Sequence, residues 1–323
     1  MNIVNSKIIA TGSYLPEKII TNYDLSKTID TSHEWIYSRT GIIERRIADD
    51  KEYTSDLAYE AAIDAINKSK ININDIDAII LATTTPDLTF PATSVILQEK
   101  LGIKNAFAFD IQAVCSGFLY ALTCANSFIK SNQCKNILVI GSETLSRILD
   151  WNDRNSCILF GDGAGALILS SCQDKSDKSD IILSNIKSDG SYCDILKTTG
   201  GTSRTRDSGY ITMNGKEVFR NAVDKMTKSA LDIVKQSNIS LSEIDMMIPH
   251  QANIRIIDAI ADKLHLPQNK VIKTLSKHGN TSAASIPLAL DYAINNKLIK
   301  RGDNILFEAL GAGLTWGSMI AKY

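Results

Sequence analysis

Apolar residues follow two different spacings along the 323-residue chain. Short continuous runs such as "FAFDI" (107–111) and "NILVI" (136–140) predict strands, and longer stretches with apolar residues three or four positions apart predict helices. We expect the strand 107–111 to be buried and to be followed by a helix over 117–129. Strands that alternate with helices of ten or more residues predict an α/β fold, with mixed or parallel sheets covered by helices.

The order of these elements occurs twice with a constant shift. "AAIDAINKSKININDIDAIILATT" predicts helix, turn and buried strand, and "SALDIVKQSNISLSEIDMMIPHQ" repeats that order. The shift that aligns position 71 with position 239 also aligns "NILVI" (136–140) with "NILFE" (304–308). The regular alternation of strands and helices in any α/β protein would produce part of this match. We therefore expect two duplicated halves, 1–173 and 174–323, connected by the polar segment "SSCQDKSDKSD" (170–180).

Composition and charge are those of a soluble globular protein. Hydrophobic residues make up 44% and charged residues 22% of the chain, with a net charge of −1. This charge gives no general attraction to nucleic acid or membranes, so an anionic partner would need a local basic patch. We find no signal peptide and no apolar run long enough for a membrane helix. The six cysteines form no CxxC pair or metal-ligand spacing, which favours a reducing, cytoplasmic compartment.

One cysteine lies between a predicted strand and a predicted helix, in "DIQAVCSGFLYAL" (110–122). Cys115 stands at the helix entrance, where the positive end of the helix dipole favours a thiolate. Gly117 allows a close backbone approach there. Most free cysteines are nevertheless small buried apolar residues, so the position alone leaves nucleophile and packing residue as alternatives.

Two further polar residues lie at the same kind of junction. His250 follows the strand "IDMMI" and precedes the helix "ANIRIIDAIADKL", although it could be only a core histidine. Asn280, in "KHGNTSAASIPLAL" (277–290), precedes another apolar helix and could be only its cap. Functional groups in such folds gather outside the carboxyl ends of strands. Because the Asn280 loop corresponds to the Cys115 loop in the other half, a pseudo-twofold axis would bring thiol, imidazole and carboxamide to one centre.

Two glycine-rich segments have different interpretations. "LGAGLTWG" (310–317) follows the strand "NILFEA" and either presents backbone N–H groups to an oxyanion or forms only a tight hairpin. "GDGAGA" (161–166) satisfies a GxGxxA pattern, but dinucleotide binding requires a helix directly afterwards, and "LILSS" follows instead. We therefore expect the glycines of 161–166 to allow close packing of a strand.

Four motifs together resemble those of a known family. "AVCSGF", "PHQANIRI", "KHGNTSAAS" and "GAGLTWG", in this order and spacing, are similar to the motifs of the β-ketoacyl-acyl carrier protein synthases III, and the match extends from "TGSYLP" to "TWGSMIAKY". The resemblance implies a thiolase-like fold with two duplicated halves in five αβαβα layers, and a homodimer. Chalcone-synthase-type enzymes share the Cys-His-Asn set but are longer, and synthases I and II have a second histidine in place of Asn280.

The resemblance also implies a reaction. A short acyl-CoA primer, acetyl-CoA first among them, would acylate Cys115 and then condense with malonyl-acyl carrier protein, with loss of CO2 and no cofactor or metal, as the first condensation of fatty acid synthesis. His250, neutral and donating from Nε2, and Asn280 would stabilise the enolate. The backbone N–H groups of Cys115 and Ala312 would hold the tetrahedral oxyanion.

Further roles follow from the same resemblance. It implies that CoA is contacted by Thr31, Trp35, Arg39, Arg154 and Asn253. It implies that Phe90 and Leu310 line the acyl pocket. It also implies a docking surface for carrier protein, formed by Arg220, Arg255 and Lys263. Phe90 is expected to reach across the dimer and restrict the primer to short chains. Leu310 departs from the family pattern, in which an aromatic residue commonly precedes the glycine-rich turn.

Two other classes of function stay open at this point. A cysteine hydrolase would use the same three side chains with His250 as general base, and a non-catalytic protein of the same fold would need no reactive thiol. The sequence also leaves open the length and branching of the primer, whether malonate arrives on carrier protein or CoA, and a specialised role outside fatty acid synthesis.

Overall fold

A computed structural model describes residues 4–174 and 176–323 of the chain. In chain order the strands are β1 Asn5–Tyr14, β2 Lys18–Thr21, β3 Glu44–Ile47, β4 Ala78–Ala82, β5 Phe107–Ile111, β6 Asn136–Glu143, β7 Gly163–Cys172, β8 Asp180–Ser188, β9 Leu196–Thr198, β10 Ile211–Met213, β11 Met246–Pro249, β12 Asn304–Gly311 and β13 Thr315–Lys322. The α-helices are α1 Asn22–Leu25, α2 His33–Thr40, α3 Thr54–Ser69, α4 Thr93–Leu101, α5 Gly117–Lys130, α6 Gly215–Ser237, α7 Ile254–Lys263, α8 Leu275–His278 and α9 Ser285–Asn295.

Two sheets and three helical layers form the body of the protein. One sheet has the order β1-β7-β6-β4-β5 and the other β11-β12-β13-β8, with parallel pairs β4–β5, β4–β6 and β11–β12. Helices α3 and α4 cover the outer face of the first sheet, α6 and α7 lie on the outer side of the second, and α5 and α9 lie between the two sheets. This arrangement gives the five αβαβα layers that the family resemblance implies.

The duplication is visible in the positions of the elements. The shift that relates positions 71 and 239 also relates both ends of β6 to those of β12, and the start of α5 to the start of α9. Short 3₁₀ turns precede both central helices, over Val114–Ser116 and Ser282–Ala284, and the same shift relates them. The predicted repeat is thus present in the fold, and it places the entrances of α5 and α9 at equivalent positions.

Sequence polarity explains which helices occupy which layer. The central helices α5 (GFLYALTCANSFIK) and α9 (SIPLALDYAIN) are predominantly apolar because sheets enclose them on both sides. Each fully buried leucine or isoleucine contributes about 1.5–3 kcal/mol of transfer free energy. The outer helices α6 and α7 instead carry a charged face towards solvent. The predicted helix over 117–129 is confirmed, with one additional residue at its end.

The prediction that the strand 107–111 is buried is wrong. Among the described residues β5 is an edge strand that pairs with β4 alone, and its first residue, Phe107, is 45% exposed. The ring of Phe107 stacks near Phe109 and meets the edge of Phe128. An apolar run therefore lies at an open sheet edge, which the run itself does not distinguish from a central strand.

The linker predicted over 170–180 is shorter in the structure. Residues 170–172 belong to β7, which ends at Cys172, and β8 begins at Asp180, while Lys175 lies outside the described residues. The proposed boundary between 173 and 174 falls in this connection and stays a prediction. The segment 161–166 leads into β7 and not into a helix, and a Cβ at Gly165 would lie 2.6 Å from the backbone nitrogen of Leu288 on α9, as close strand packing requires. Among the described residues no helix has the length and apolar character needed to cross a bilayer.

Candidate active site

The entrances of the two central helices contact each other. The 3₁₀ turns Val114–Ser116 and Ser282–Ala284 pack together, and a Cβ added at Gly117 would lie 3.7 Å from the Cβ of Ala283. Val114 and Ser282 have φ values of 49° and 48°, so both turns use the same unusual backbone conformation. The pseudo-twofold relation predicted from the sequence therefore brings the Cys115 turn against its counterpart.

Two glycines allow strands to approach these turns. A Cβ at Gly311, the last residue of β12, would lie 2.7 Å from the backbone nitrogen of Cys115. A Cβ at Gly141 on β6 would lie 2.3 Å from the carbonyl oxygen of Ala283. Side chains at these positions would displace the turns, so each sheet ends directly against the helix entrance that the other half contributes to the site.

The Cys115 thiol is buried, with 6% of the residue exposed. Burial raises its pKa to about 12, the nearby Ser282 hydroxyl acts in the opposite direction, and the Glu143 carboxylate adds to the effect of burial. The sequence predicts a thiolate at this helix entrance from the dipole. Burial opposes the dipole, because desolvation disfavours the charged form of the thiol.

His250 is also buried, and its neighbours indicate its tautomer. Burial lowers the pKa of the imidazole to about 3, so the ring is neutral. Its Nδ1 lies 2.7 Å from Oγ of Ser285, and that oxygen also accepts the N–H of Gln251 at 3.3 Å. Because the Ser285 hydroxyl proton has no other acceptor within the described residues, Ser285 donates to Nδ1. The ring proton is therefore on Nε2, which can donate.

The carboxamide of Asn280 is oriented in a similar way. Its Oδ1 accepts the backbone N–H of Ser282 at 2.9 Å, which identifies the oxygen and leaves Nδ2 as a donor. The backbone of Asn280 is bonded to the loop before β7 through Leu159 and Gly161. Asn280 therefore has the hydrogen bond of a turn cap, as one alternative interpretation of the sequence proposed, and also presents an N–H₂ group.

Residues 280–285 connect the three predicted catalytic side chains. Asn280 bonds to Ser282, the turn that begins at Ser282 packs against the Cys115 turn, and Ser285, on the first turn of α9, holds His250. Each of the three predicted residues is at most 6% exposed. The structure therefore gathers thiol, imidazole and carboxamide around the entrance of one helix.

A cavity of about 1030 Å³ reaches the Cys115 thiol. Ser282 and the glycine-rich turn at Ala312 and Gly313 line the same cavity. The N–H of Ala312 has no acceptor in the part of the chain that the structure describes. The turn at 312 is thus positioned beside the thiol with an unused backbone donor.

The residues predicted to contact CoA form a second cluster, away from that cavity. The guanidinium carbons of Arg39 and Arg154 lie 4.6 and 5.1 Å from the centroid of the Trp35 ring. Nδ2 of Asn253 donates to the backbone oxygen of Arg39 at 3.0 Å. Because Asn253 follows His250 by three residues, their Cα atoms are at most about 11 Å apart. Asn253 therefore connects this cluster to the imidazole.

The aromatic clamp of this cluster is closed. A base stacked between Trp35 and a guanidinium needs about 7 Å between the two groups. Both guanidinium groups lie closer to the Trp35 ring than this distance. Arg154 is bonded only to the carbonyl and carboxylate oxygens of Asp30, both exposed. Such surface pairs are weak, so a nucleotide can displace Arg154 at little cost. The hydroxyl of Thr31, next to Asp30, is buried without a hydrogen-bond partner among the described residues.

The structure does not bring the remaining predicted residues to the thiol. Phe90 is 83% exposed, and Leu310 is buried within the core on the α6–α7 side of β12. Arg255 lies over the ring of Phe219, next to Arg220, with 5.7 Å from its guanidinium carbon to the ring centroid. Lys263 is the last residue of α7, two turns beyond Arg255. All three predicted docking residues are exposed, Arg220 on α6 and the other two on α7.

Sequence reasoning missed three polar residues at this site. Ser282 and Ser285 are within the quoted motif "KHGNTSAAS", where serines are ordinary residues of a helix entrance. Glu143 is fully buried at the end of β6. The sequence does contain a signal for Glu143, because a carboxylate at the end of an apolar strand is buried only when it has polar partners.

The described residues contain no group of three or more His, Cys, Asp or Glu side chains arranged to hold a metal ion. The six cysteines are free thiols. The prediction that the reaction needs no metal or cofactor stays a prediction.

Comparison with known proteins identifies the same family twice along the chain. A family model described as 3-oxoacyl-[acyl-carrier-protein (ACP)] synthase III matches residues 109–190, and one described as the C terminal part of the same synthase matches residues 234–323. These ranges contain all three predicted catalytic residues, together with Ser282 and Ser285.

Full-length relatives agree with these matches. The chain is 57% identical over 319 residues to a β-ketoacyl-[acyl-carrier-protein] synthase III of Wolbachia pipientis wMel, and 53% identical over 317 residues to one of Ehrlichia canis, each alignment covering 98% of this chain and 99% of the relative. The crystal structure of 3-oxoacyl-[acyl-carrier-protein] synthase III from Aquifex aeolicus is 47% identical, with a TM-score of 0.93 over 98% of this chain and all of that one. The chain therefore has the predicted thiolase-like α/β fold and belongs to the β-ketoacyl-acyl carrier protein synthase III family of condensing acyltransferases.

Proposed function

We propose that this enzyme condenses a short acyl-CoA, with acetyl-CoA as the first candidate, with malonyl-acyl carrier protein, to give acetoacetyl-acyl carrier protein, CoA and CO2. One observation carries the proposal: Nε2 of His250 and Nδ2 of Asn280 are both left as donors at the entrance of α9, and this entrance packs against the turn that carries the buried Cys115. Two neutral donors suit an enolate oxygen, because they stabilise the negative charge and His250 has little tendency to give up its proton entirely.

The two half-reactions use different groups. In the first, the Cys115 sulfur attacks the primer thioester and CoA leaves, with N–H groups of Cys115 and Ala312 receiving the oxyanion. In the second, malonyl thioester loses CO2 and the resulting carbanion attacks the acyl-enzyme, while His250 and Asn280 donate to the enolate oxygen. The free N–H of Ala312, judged within the described residues, and the neutral His250 support this assignment.

Substrate recognition would use the second cluster and the outer helices. We propose that Thr31, Trp35, Arg39, Arg154 and Asn253 hold CoA, with the adenine between Trp35 and Arg154 after the clamp opens. Carrier proteins are acidic, Arg220 on α6 and Arg255 on α7 are both exposed, and Arg255 lies over the ring of Phe219, the residue before Arg220. We propose that these two residues and Lys263 attract the carrier protein.

A homodimer is the second part of the proposal. Phe90 and Leu88 are 83% and 55% exposed, and they precede α4, which packs on the open edge strand β5 with its exposed Phe107. Apolar surface that is exposed at a sheet edge is typical of an interaction site. A second copy would cover it, and Phe90 of that copy would then close the primer pocket, with Leu310 setting its shape from within the core. Six free thiols support a cytoplasmic location.

The hydrolase alternative has less support. A hydrolase needs His250 as general base towards the substrate, whereas the Ser285 hydrogen bond puts the proton on Nε2 and keeps Nδ1 occupied. The imidazole is therefore arranged as a donor.

One assay tests the proposal. The protein is incubated with radiolabelled acetyl-CoA alone and then with malonyl-acyl carrier protein, and with malonyl-CoA in a parallel arm. We expect label on Cys115 in the first step and acetoacetyl-acyl carrier protein in the second, and no label in Cys115→Ala. Free acetate without a ketoacyl product would mean a hydrolase, and an unlabelled protein would mean a non-catalytic one.

A further inference from the structure

The backbone of Asn280 is held by the segment that leads into β7. Its N–H donates to the carbonyl of Leu159 at 2.8 Å, and its carbonyl accepts the N–H of Gly161 at 3.0 Å. Phe160 and Asn280 thus form an isolated parallel β-bridge. The residue that carries the proposed enolate donor is therefore positioned, through both hydrogen-bonding groups of its backbone, by one segment that is distant in sequence.

A fully buried arginine holds the residue next to this bridge. Nη2 of Arg45, on β3, donates to the carbonyl of Ile158 at 2.7 Å. The same nitrogen donates to Oδ1 of Asn22 at 3.0 Å, and Nη1 donates to the carbonyl of Ile20 at 3.1 Å. One guanidinium group therefore joins the segment before β7 to strand β2 and to the start of α1.

The stem of Arg45 also lies against the bridge. A Cβ at Gly161 would lie 3.1 Å from Cβ of Arg45, and a Cβ at Gly279, the residue before Asn280, would lie at the same distance from it. Gly279 has a φ of 67°, which favours glycine. Because neither glycine has a side chain, β3 packs closely on both segments that form the bridge.

The guanidinium group of Arg45 occupies this position at a cost. Its three acceptors are neutral oxygens, and its Nε is buried with no hydrogen-bond partner within the described residues. Burial of a charged group among neutral acceptors is unfavourable, and an apolar side chain would fill the space without this cost. Arginine is, however, the side chain whose rigid fork donates to several segments at once. Its presence here therefore points to the geometry of the segments that it joins.

Movement of the bridge would move the proposed enolate donor. Oδ1 of Asn280 accepts the N–H of Ser282, which fixes the carboxamide relative to its own turn. The bridge fixes this turn relative to the segment 158–161. A displacement of about 1 Å at a reacting group can reduce a rate about 100-fold. The donors proposed for acylation, on Cys115 and Ala312, belong to turns outside the bridge, so condensation should be the more sensitive half-reaction.

We propose that Arg45 is a positioning residue for condensation, because its three hydrogen bonds hold the segment 158–161 where the bridge places Asn280 for the enolate oxygen. This inference rests on the proposed function, since Asn280 has this task only if the enzyme forms an enolate. Arg45 is fully buried, so it acts through the bridge and not on the substrate.

The first test uses the full chain and separates the two half-reactions. Arg45→Met keeps a long side chain and removes its donors. We expect a roughly 10- to 100-fold lower kcat for condensation with malonyl-acyl carrier protein, with an unchanged KM and unchanged acetylation of Cys115 by labelled acetyl-CoA. Arg45→Lys keeps the charge but has no fork to reach three acceptors, so its kcat should lie between those of Arg45→Met and the parent.

Amide hydrogen exchange tests the bridge without turnover. The N–H groups of Asn280 and Gly161 are the two donors of the bridge. In both Arg45 variants these two amides should exchange at least about tenfold faster than in the parent, because the bridge opens more often. This readout decides whether Arg45 holds the bridge even if the parent forms no ketoacyl product, and that outcome would contradict the proposed function instead.

Arg301 supplies the matched control. Its Nη1 and Nη2 donate to the carbonyls of Ile8 and Ile9 on β1 at 2.7 and 3.2 Å. Arg301→Met therefore removes the same kind of hydrogen bond from a different part of the protein. Both half-reactions and the exchange of the two bridge amides should stay as in the parent.

Two results would overturn the positioning role. Equal losses in acetylation and condensation would mean that Arg45 only supports the fold. Unchanged exchange of both bridge amides in Arg45→Met, together with slower condensation, would mean that the guanidinium acts by its charge and not through the bridge. If Arg45→Met fails to fold, Arg45→Lys decides between the same outcomes, because it keeps the buried charge.

Discussion

Ser285 Oγ lies 2.7 Å from Nδ1 of His250, and this contact determines which nitrogen of the imidazole faces the substrate. Ser285 is the first residue of α9, so the helix that carries the Asn280 loop at its entrance also orients the histidine. The two donors of the proposed second half-reaction therefore depend on one helix end. Burial keeps His250 neutral over the whole physiological pH range, since its pKa is lowered to about 3.

Removal of the Ser285 hydroxyl should affect condensation alone. In Ser285→Ala the imidazole loses the contact that selects its tautomer, and such supporting contacts typically contribute about 10–100-fold. We expect a loss of this size in decarboxylation and condensation with malonyl-acyl carrier protein, with acetylation of Cys115 by labelled acetyl-CoA unchanged. Ser285→Thr, which keeps the hydroxyl, should retain most activity. An equal loss in both half-reactions would contradict this role.

The Trp35 clamp should matter only for substrates that carry the nucleotide. Stacking and cation–π contacts contribute about 1–2 kcal/mol, so Trp35→Leu should raise the KM for acetyl-CoA roughly 5- to 30-fold. The KM for acetyl-pantetheine, which lacks the nucleotide, should not change. Tyr37→Leu on the same helix is the control, because Tyr37 stacks near His33 and away from the arginines. A rise with both thioesters would assign Trp35 to folding.

Charge reversal on α7 should separate the two substrates. Arg255→Glu is expected to raise the KM for malonyl-acyl carrier protein about tenfold and to leave acylation by acetyl-CoA nearly intact. Lys263→Glu, about 12 Å further along α7, should have a smaller effect, and Lys297→Glu, beyond the far end of α9, should have none. Added salt should reduce these differences. Similar losses in both half-reactions would exclude a docking role for Arg255.

A half-buried histidine outside the proposed catalytic set should make the fold sensitive to acid. His278 has a pKa lowered from 6.5 to about 4 by burial and by the charges of Arg46 and Lys277. In the unfolded chain this histidine binds a proton near pH 6.5, whereas in the folded protein it stays neutral until about pH 4. The free energy of unfolding therefore falls as the pH decreases from 6.5 to about 4.

The contribution of His278 can be isolated by substitution. The free energy of unfolding should fall less steeply with decreasing pH in His278→Gln than in the parent. The difference in slope should be up to about 1.4 kcal/mol per pH unit between the two pKa values, and urea midpoints measured against pH give both slopes. Comparison with the parent cancels the opposite effects of buried carboxyl groups such as Glu308. Identical slopes in the two proteins would show that His278 does not bind this proton differently on folding.

The sequence predicts the positions of the reactive groups better than their chemical state. Strand ends and helix entrances at Cys115, His250 and Asn280 follow from apolar periodicity, and the constant shift between the halves explains why two of these entrances meet. The ionisation of Cys115 also depends on burial by parts of the chain that are distant in sequence, and a local pattern does not contain this effect.

The same reasoning explains the residues that the sequence did not indicate. Glu143 and Ser282 belong to different halves of the chain, and they become neighbours only when β6 packs against the turn before α9. Serines are common helix caps, so Ser285 carries no local sign of its contact with a histidine. The open edge of β5 was missed because an apolar run has the same pattern in an edge strand as in a central one.

The contact between the entrances of α5 and α9 makes the reaction centre indivisible. A chain cut within the connection 173–179 would yield one fragment with the sulfur and another with the imidazole and the carboxamide. Each fragment would expose to water an apolar helix that the intact protein encloses between sheets. Acyl transfer would then become a second-order process in the two fragments, limited by their reassociation, which is a reason for the ancestral copies to have stayed on a single polypeptide.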